Sequence, residues 1–114
     1  MDFVILDLEW NGSYSKKTKG YINEIFEFGA VRVNSDMQIV DTFSMLIKPQ
    51  IGKKISSRVK ELTHINTEEL SSTNNTYNHV IKEFSIFAKD AVILTWGITD
   101  IHTLIVNNEY YNNL

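Results

Sequence analysis

Apolar and polar positions divide this chain into a strand-rich first half and a helix-rich second half. Residues 3–10, Phe3-Val4-Ile5-Leu6-Asp7-Leu8-Glu9-Trp10, form a nearly unbroken apolar run that predicts a buried strand. Residues 11–20 are polar and glycine-bounded, which reads as a connection. Residues 22–33, rich in Ile, Phe and Val, predict a second strand. Asn34-Ser35-Asp36 then turns the chain into a third strand over 38–48, ended by Pro49 for want of an amide hydrogen. Three strands joined in this way predict an antiparallel meander. Short helical turns are expected at 56–62 and 67–70, with Asn66 and Glu69 as a capping pair for the latter. Tyr77, Val80, Ile81, Phe84, Phe87 and Ala88 recur at helical spacing over 77–89, so a helix there turns its stripe to the core. Residues 91–96 are mostly apolar, the mark of a strand covered on both faces and parallel to its neighbour, and Trp96 is expected to pack. After Gly97 a helix carrying Asp100, Ile101, Leu104 and Ile105 is predicted, with Thr99 as its N-cap.

The chain has 114 residues, enough for one domain with a core. Hydrophobic residues at 43% and charged residues at 22% describe an ordinary globular composition. There is no cysteine, which excludes disulfides, thiolate zinc sites and cysteine nucleophiles. Neither a secretory leader nor an apolar run of membrane-spanning length is visible, so the expected location is cytoplasmic, without membrane partners. A net charge of -3 argues against holding nucleic acid by bulk electrostatics. Two local clusters could still meet phosphates: Lys16, Lys17 and Lys19, and Lys53, Lys54, Arg58 and Lys60.

Candidate chemistry enters with Asp7 and Glu9. Alternation along a strand turns both carboxylates to one face, with Cα atoms about 7 Å apart. Two anions so placed repel and lose hydration, and no Lys or Arg lies within the run. A hard cation such as Mg²⁺ or Mn²⁺ resolves the conflict and also accepts substrate phosphate. Phosphodiester hydrolysis with two ions about 4 Å apart is the reaction such a site suits. An Asp-x-Glu pair at a strand end is equally compatible with a solvated surface pair. Asp100 has its own plain reading as a first-turn carboxylate favoured by the helix dipole. If the first and fourth strands are parallel neighbours, however, their carboxyl ends share a rim and three carboxylates meet there. Glycoside hydrolysis is disfavoured, because its two carboxylates flank a sugar from opposite sides.

Five segments carry a resemblance across nearly the whole chain: Asp7-Leu8-Glu9-Trp10-Asn11, Glu24-Ile25-Phe26-Glu27-Phe28-Gly29-Ala30-Val31, Leu46-Ile47-Lys48-Pro49, Leu62-Thr63-His64-Ile65 and Thr95-Trp96-Gly97-Ile98-Thr99-Asp100. In order and spacing they resemble the DEDD-type (DnaQ-like) 3'→5' exonucleases, most closely the stand-alone bacterial members related to the sporulation inhibitor and Eri-type ribonucleases. The resemblance implies an α/β, ribonuclease H-like fold: a mixed sheet, the meander plus a parallel fourth strand, flanked by helices. It implies that Asp7 and Glu9 hold the metal that activates water, and that Asp100 helps to hold the second ion. The substrate would be the 3' end of single-stranded RNA or DNA. Leu8, Trp10, Leu62, His64 and Ile65 would lie near the terminal nucleotide, although Trp10 also reads as core, and Glu27 would be a supporting acceptor.

The chain departs from the family in one respect. Members carry a third motif in which a His or Tyr general base precedes a fourth metal-binding Asp, whereas no Asp follows Asp100 here. His64, His79 and His102 are followed five positions later by Glu69, Phe84 and Asn107 and do not supply the motif. The expectation is therefore an exonuclease domain lacking the C-terminal part of the fold, and weak alone, since a general base contributes about 10²–10⁴ in rate. Exposed apolar surface and self-association, or a complementary chain, are expected with it. Two alternatives stay open: an inactive nuclease-like module that binds nucleic acid or protein, and a structural domain with incidental carboxylates. RNA and DNA are not distinguished.

Overall fold

A computed structural model describes residues 1–52, 55–65 and 67–112, so Lys53, Lys54 and the expected cap Asn66 lie outside the described residues. Four strands form one sheet in the order β3-β2-β1-β4. β1 (Asp2–Ser15) pairs antiparallel with β2 (Gly20–Val33), and β2 antiparallel with β3 (Ile39–Leu46). β4 (Ala91–Leu94) runs parallel to β1 at its other edge, with Ile5 opposite Leu94. This is the meander plus a parallel fourth strand that the sequence predicts.

The first two strands run further than their apolar residues suggest. Residues 11–20 are not a loop: β1 continues to Ser15, β2 starts at Gly20, and only four residues turn between them. Lys19 takes a left-handed conformation there (φ 56°), and the Thr18 amide donates to the Ser15 hydroxyl at 3.3 Å. Asn11, Ser13 and Ser15 are buried, so beyond the register shift at Glu9 and Trp10 burial keeps its period of two but passes from the even positions to the odd ones, which carry polar groups.

Val4, Leu6 and Leu8 point into the main core, where they meet Phe28, Ala30, Tyr77, Val80 and Phe84. α3 (Tyr77–Phe87) supplies the last three, begun by Thr76, whose hydroxyl accepts the His79 amide at 3.1 Å. Phe28 contacts Tyr77 and Phe84 with ring centroids 6.3 and 5.4 Å apart, and such pairs add about 0.5–1.5 kcal/mol each beyond area burial. A smaller cluster of Phe26, Ile55 and Leu70 forms under α1 (Ser57–Thr63) and α2 (Thr67–Ser72). Phe26 reaches it because the β1–β2 register shifts beside Glu9. Glu9 faces Glu27 and Trp10 faces Ile25, which leaves Phe26 as the extra residue of a bulge.

Three expectations at the end of the chain need correction. β4 is not covered on both faces: it is an edge strand, and Val92, Ile93 and Leu94 are each 40–44% exposed. Trp96 does not pack and stands almost wholly in solvent, at 96% exposure. Thr99 is not the N-cap, because α4 (Ile98–Asn112) has already begun before it. Among the described residues no helix is long and apolar enough to cross a membrane.

α4 is held to the sheet by a buried amide. The Asn107 side chain accepts the Ile25 amide at 3.1 Å and donates to the Asn23 and Thr103 carbonyls at 2.8 Å each. Beside it Tyr111 stacks on Tyr77, with centroids 4.6 Å apart. These contacts hold the second half of α4 to β2 and α3.

Candidate active site

Asp7 and Glu9 lie on the face of β1 opposite Val4, Leu6 and Leu8, as strand alternation requires. Asp100, in the first turn of α4, approaches from beyond the end of β4, and its Oδ2 accepts the Leu8 amide at 3.2 Å. All three carboxylates line one cleft of about 310 Å³, together with Leu8, Trp10, Val59, Leu62 and Thr63.

A chain of polar contacts sets the far wall. Asn11 Oδ1 accepts the Ser56 amide at 3.2 Å, and the Ser56 hydroxyl caps α1 by accepting the Val59 amide at 3.2 Å. Asn11 therefore fixes the origin of the helix that brings Val59, Leu62 and Thr63 to the cleft. Those three recur at i, i+3 and i+4, a helical spacing visible in the sequence, yet only Leu62 was expected there.

The electrostatics are those of a crowded anionic site. Partial burial, then the charge of Asp100, raises Asp7 above its ordinary value. Burial raises Glu9, with Asp7, Glu27 and Asp100 adding repulsion. Burial again leads for Glu27, followed by Asp7 and Glu69. No lysine or arginine is among the described residues lining the cleft. A cluster of oxygen donors that repel one another is the donor chemistry a hard divalent cation satisfies. As the side chains stand, no three His, Cys, Asp or Glu groups among the described residues are drawn closely enough to hold such an ion. The fit thus rests on donor type and mutual repulsion.

Of the residues expected near a terminal nucleotide, Leu8, Trp10 and Leu62 line this cleft. Trp10 also packs against the main core, as its other reading expected. His64 and Ile65 face a neighbouring, larger hollow of about 680 Å³, which they share with Glu27, Leu46 and Glu69. His64 closes α1 in a left-handed conformation (φ 55°) that directs the chain toward α2. His79 is exposed on α3. Glu27 stands beside Glu9 on the paired strand, where a supporting role was expected.

Sequence reasoning missed Glu24. Its carboxylate, 2% exposed, accepts the amides of Gln50 and Ile51 at 2.8 Å and of Gly52 at 3.0 Å. The hydroxyls of Tyr111 and Ser13 donate to it at 3.1 and 3.4 Å. One buried anion thus ties β2 to α4 and to the segment leading into α1. Its partners are remote in sequence, so no local pattern marks it.

The exonuclease (RNase T) family model matches residues 4–110. The chain belongs to this family of DEDD-type exonucleases. It is 28% identical over 109 residues to the probable 3'-5' exonuclease KapD of Bacillus subtilis (strain 168), covering 91% of this chain and 51% of that protein. Among solved structures, the nuclease domain of 3'hExo, a DEDDh family member bound to rAMP, superposes with a TM-score of 0.81 at 23% identity. That match covers 97% of this chain and 60% of the other. E. coli exonuclease I in complex with a dT13 oligonucleotide superposes with a TM-score of 0.67 at 17% identity, covering 98% of this chain and 24% of the other. The fold is that of the ribonuclease H-like exonucleases, and the chain spans about half the length of the curated relative it matches.

Proposed function

We propose that this chain carries the metal-binding and substrate-end-binding part of a 3'→5' exonuclease acting on single-stranded RNA or DNA. The observation that carries the reading is the meeting of Asp7, Glu9 and Asp100 in one cleft walled by Leu8, Trp10 and Leu62. Asp7, Glu9 and Asp100 would hold Mg²⁺ or Mn²⁺ in a two-ion arrangement. Such ions supply Lewis-acid polarisation of a phosphoryl oxygen and acidify a water nucleophile. The chain's own residues do the positioning. The Leu8 amide fixes one oxygen of Asp100 and leaves the other available. Leu8, Trp10 and Leu62 offer an apolar wall on which a terminal base can stack without sequence being read.

The test is degradation of 5'-labelled single-stranded RNA and DNA in Mn²⁺, comparing the chain with Asp7→Ala. A ladder shortening from the 3' end that vanishes in the variant supports the reading; identical patterns overturn it. A second reading, a nuclease-like binding module, is favoured by the spacing of the carboxylates, which among the described residues are not drawn together closely enough to hold an ion. Tight oligonucleotide binding with no ladder identifies it. The expected self-association rests on the exposed apolar edge of β4. Sedimentation at rising protein concentration tests that expectation, and a monomer throughout removes it.

A further inference from the structure

Two adjoining hollows, of about 160 and 290 Å³, lie between α4 and the arm formed by the far ends of β1 and β2. Both are lined by Ile22 and Val106, so they are consecutive stretches of one groove. The inner hollow adds Tyr21, His102 and Thr103, and the outer adds Lys17, Glu109 and Tyr110. His102 follows Asp100 by two positions and Tyr110 by ten. At 1.5 Å and about 100° per residue, the groove's helical side chains lie about 3 to 15 Å along α4 from Asp100 but are turned round the helix from it, and the groove shares no lining residue with the cleft.

Its chemistry is aromatic and cationic in a chain of net charge -3. Lys16, Lys17 and Lys19 crown the arm, and no Asp or Glu occurs between Asn11 and Asn23. Tyr14 and Tyr21 face each other across the arm, with centroids 5.5 Å apart and planes at 73°. Their contact stabilises the pair of strands. That contact does not account for the 80% of Tyr21 left to solvent beside His102. Lys17 Nζ sits 5.2 Å from the centre of the Tyr110 ring. On the floor, the Thr103 hydroxyl is buried and is the one such side-chain group among the described residues without a hydrogen-bond partner. Glu109 is the acidic residue of the wall.

We infer that this groove docks single-stranded nucleic acid, with bases against Tyr21 and His102 and phosphates toward the arm lysines. Ring faces and lysines set along a narrow track suit an unpaired strand, whose bases are free to stack, and not a duplex. The direction of that strand rests on the exonuclease reading; the docking itself does not.

Fluorescein-labelled oligouridylate and oligothymidylate, titrated by anisotropy without divalent metal, give the test. Replacing the arm lysines together (Lys16→Gln, Lys17→Gln, Lys19→Asn) removes three exposed charges, with the Lys17 contact to the Tyr110 ring lost beside them, and Asn tolerates the left-handed conformation at position 19. This variant should flatten the dependence of log K on log salt by about 2, at about 0.7 for each phosphate no longer neutralised. Tyr21→Ala should weaken binding about 5-fold or more. Should Tyr21→Ala loosen the arm, Tyr21→Val, which keeps strand propensity, takes its place. Parent-like affinity and salt slope in the lysine variant and the Tyr21 variant overturn the inference, as does duplex bound as tightly as single strand. Loss of binding in the arm variants without any ladder leaves the groove standing and removes the exonuclease reading, whereas a ladder with binding indifferent to the arm does the reverse.

Discussion

The Leu8 amide donates to the Asp100 carboxylate across 92 positions of sequence, joining the middle of β1 to the first turn of α4. Leu8 itself is buried in the core, so the strand cannot shift without moving the acid that leans on it.

This link separates charge from position. Asp100→Asn keeps an oxygen that can accept the Leu8 amide but loses the negative charge. It should weaken the 3'-shortening ladder about 100-fold or more, the scale of removing one group that stabilises transition-state charge, with a melting temperature near that of the parent. Asp100→Ala loses the acceptor as well and should cost about 1 kcal/mol in addition. Paired thermal melts and ladder assays check both, and a ladder of parental strength in Asp100→Asn removes Asp100 from the site.

The raised carboxylates predict a pH-dependent cost in metal-free protein. A raised pKa means that the folded chain binds the proton more tightly than the unfolded chain does. The stability this contributes is present below the ordinary values of 3.8 for Asp7 and 4.5 for Glu9 and Glu27, and is lost as pH rises through the raised values. Asp7→Asn removes one of the repelling charges. At pH 7 without metal it should therefore be more stable than the parent, by about 0.2–1 kcal/mol for so open a site. The gap should close on acidification below the ordinary carboxylate range. Urea unfolding of both proteins across that range measures it, and a gap that widens toward acid contradicts it.

The meander and the shared face of Asp7 and Glu9 were legible from local alternation, whereas the parallel pairing that brings Asp100 to them stood as a condition that only the family resemblance supplied. The reach of β1 to Ser15 was not legible. Its inner positions there are Asn11, Ser13 and Ser15, made tolerable by partners such as Ser56 and Glu24 that only tertiary structure supplies. β4 misled for a related reason. A continuous apolar run announces burial, but not whether the described residues provide the cover, and Trp96 shows that they do not. The bulge at Phe26, which pairs Glu9 with Glu27, has no signature in the alternation of Ile25, Phe26 and Phe28.

Glu24 predicts where the site's scaffold is most fragile. Glu24→Ala takes the acceptor from three part-buried backbone amides and two buried hydroxyls, and should cost on the order of 3–5 kcal/mol. Glu24→Gln should fall between this variant and the parent, because donors surround both carboxylate oxygens and its amide nitrogen must meet some of them. Gly52→Ala probes the same cage sterically. A Cβ there would lie 2.4 Å from Ser13 Oγ, which cannot turn away without leaving Glu24, so a loss of about 1–3 kcal/mol is expected. Denaturant midpoints rank the three; a fully stable Glu24→Ala would show that the amides find other partners.

Metal addition gives a reading of the site that does not depend on turnover. A cation that binds only the folded chain stabilises it by about 2.7 kcal/mol at a hundred times its dissociation constant. In a domain of this size that raises the melting temperature by about 10 °C or more. Mn²⁺ should produce this shift in the parent and little of it in Asp7→Asn, whose unliganded form is already relieved of repulsion. The two effects oppose each other: the substitution that stabilises the metal-free chain should be the one that metal no longer stabilises. Equal Mn²⁺ shifts in both proteins would place the ion away from Asp7, and with it the chemistry assigned to the cleft.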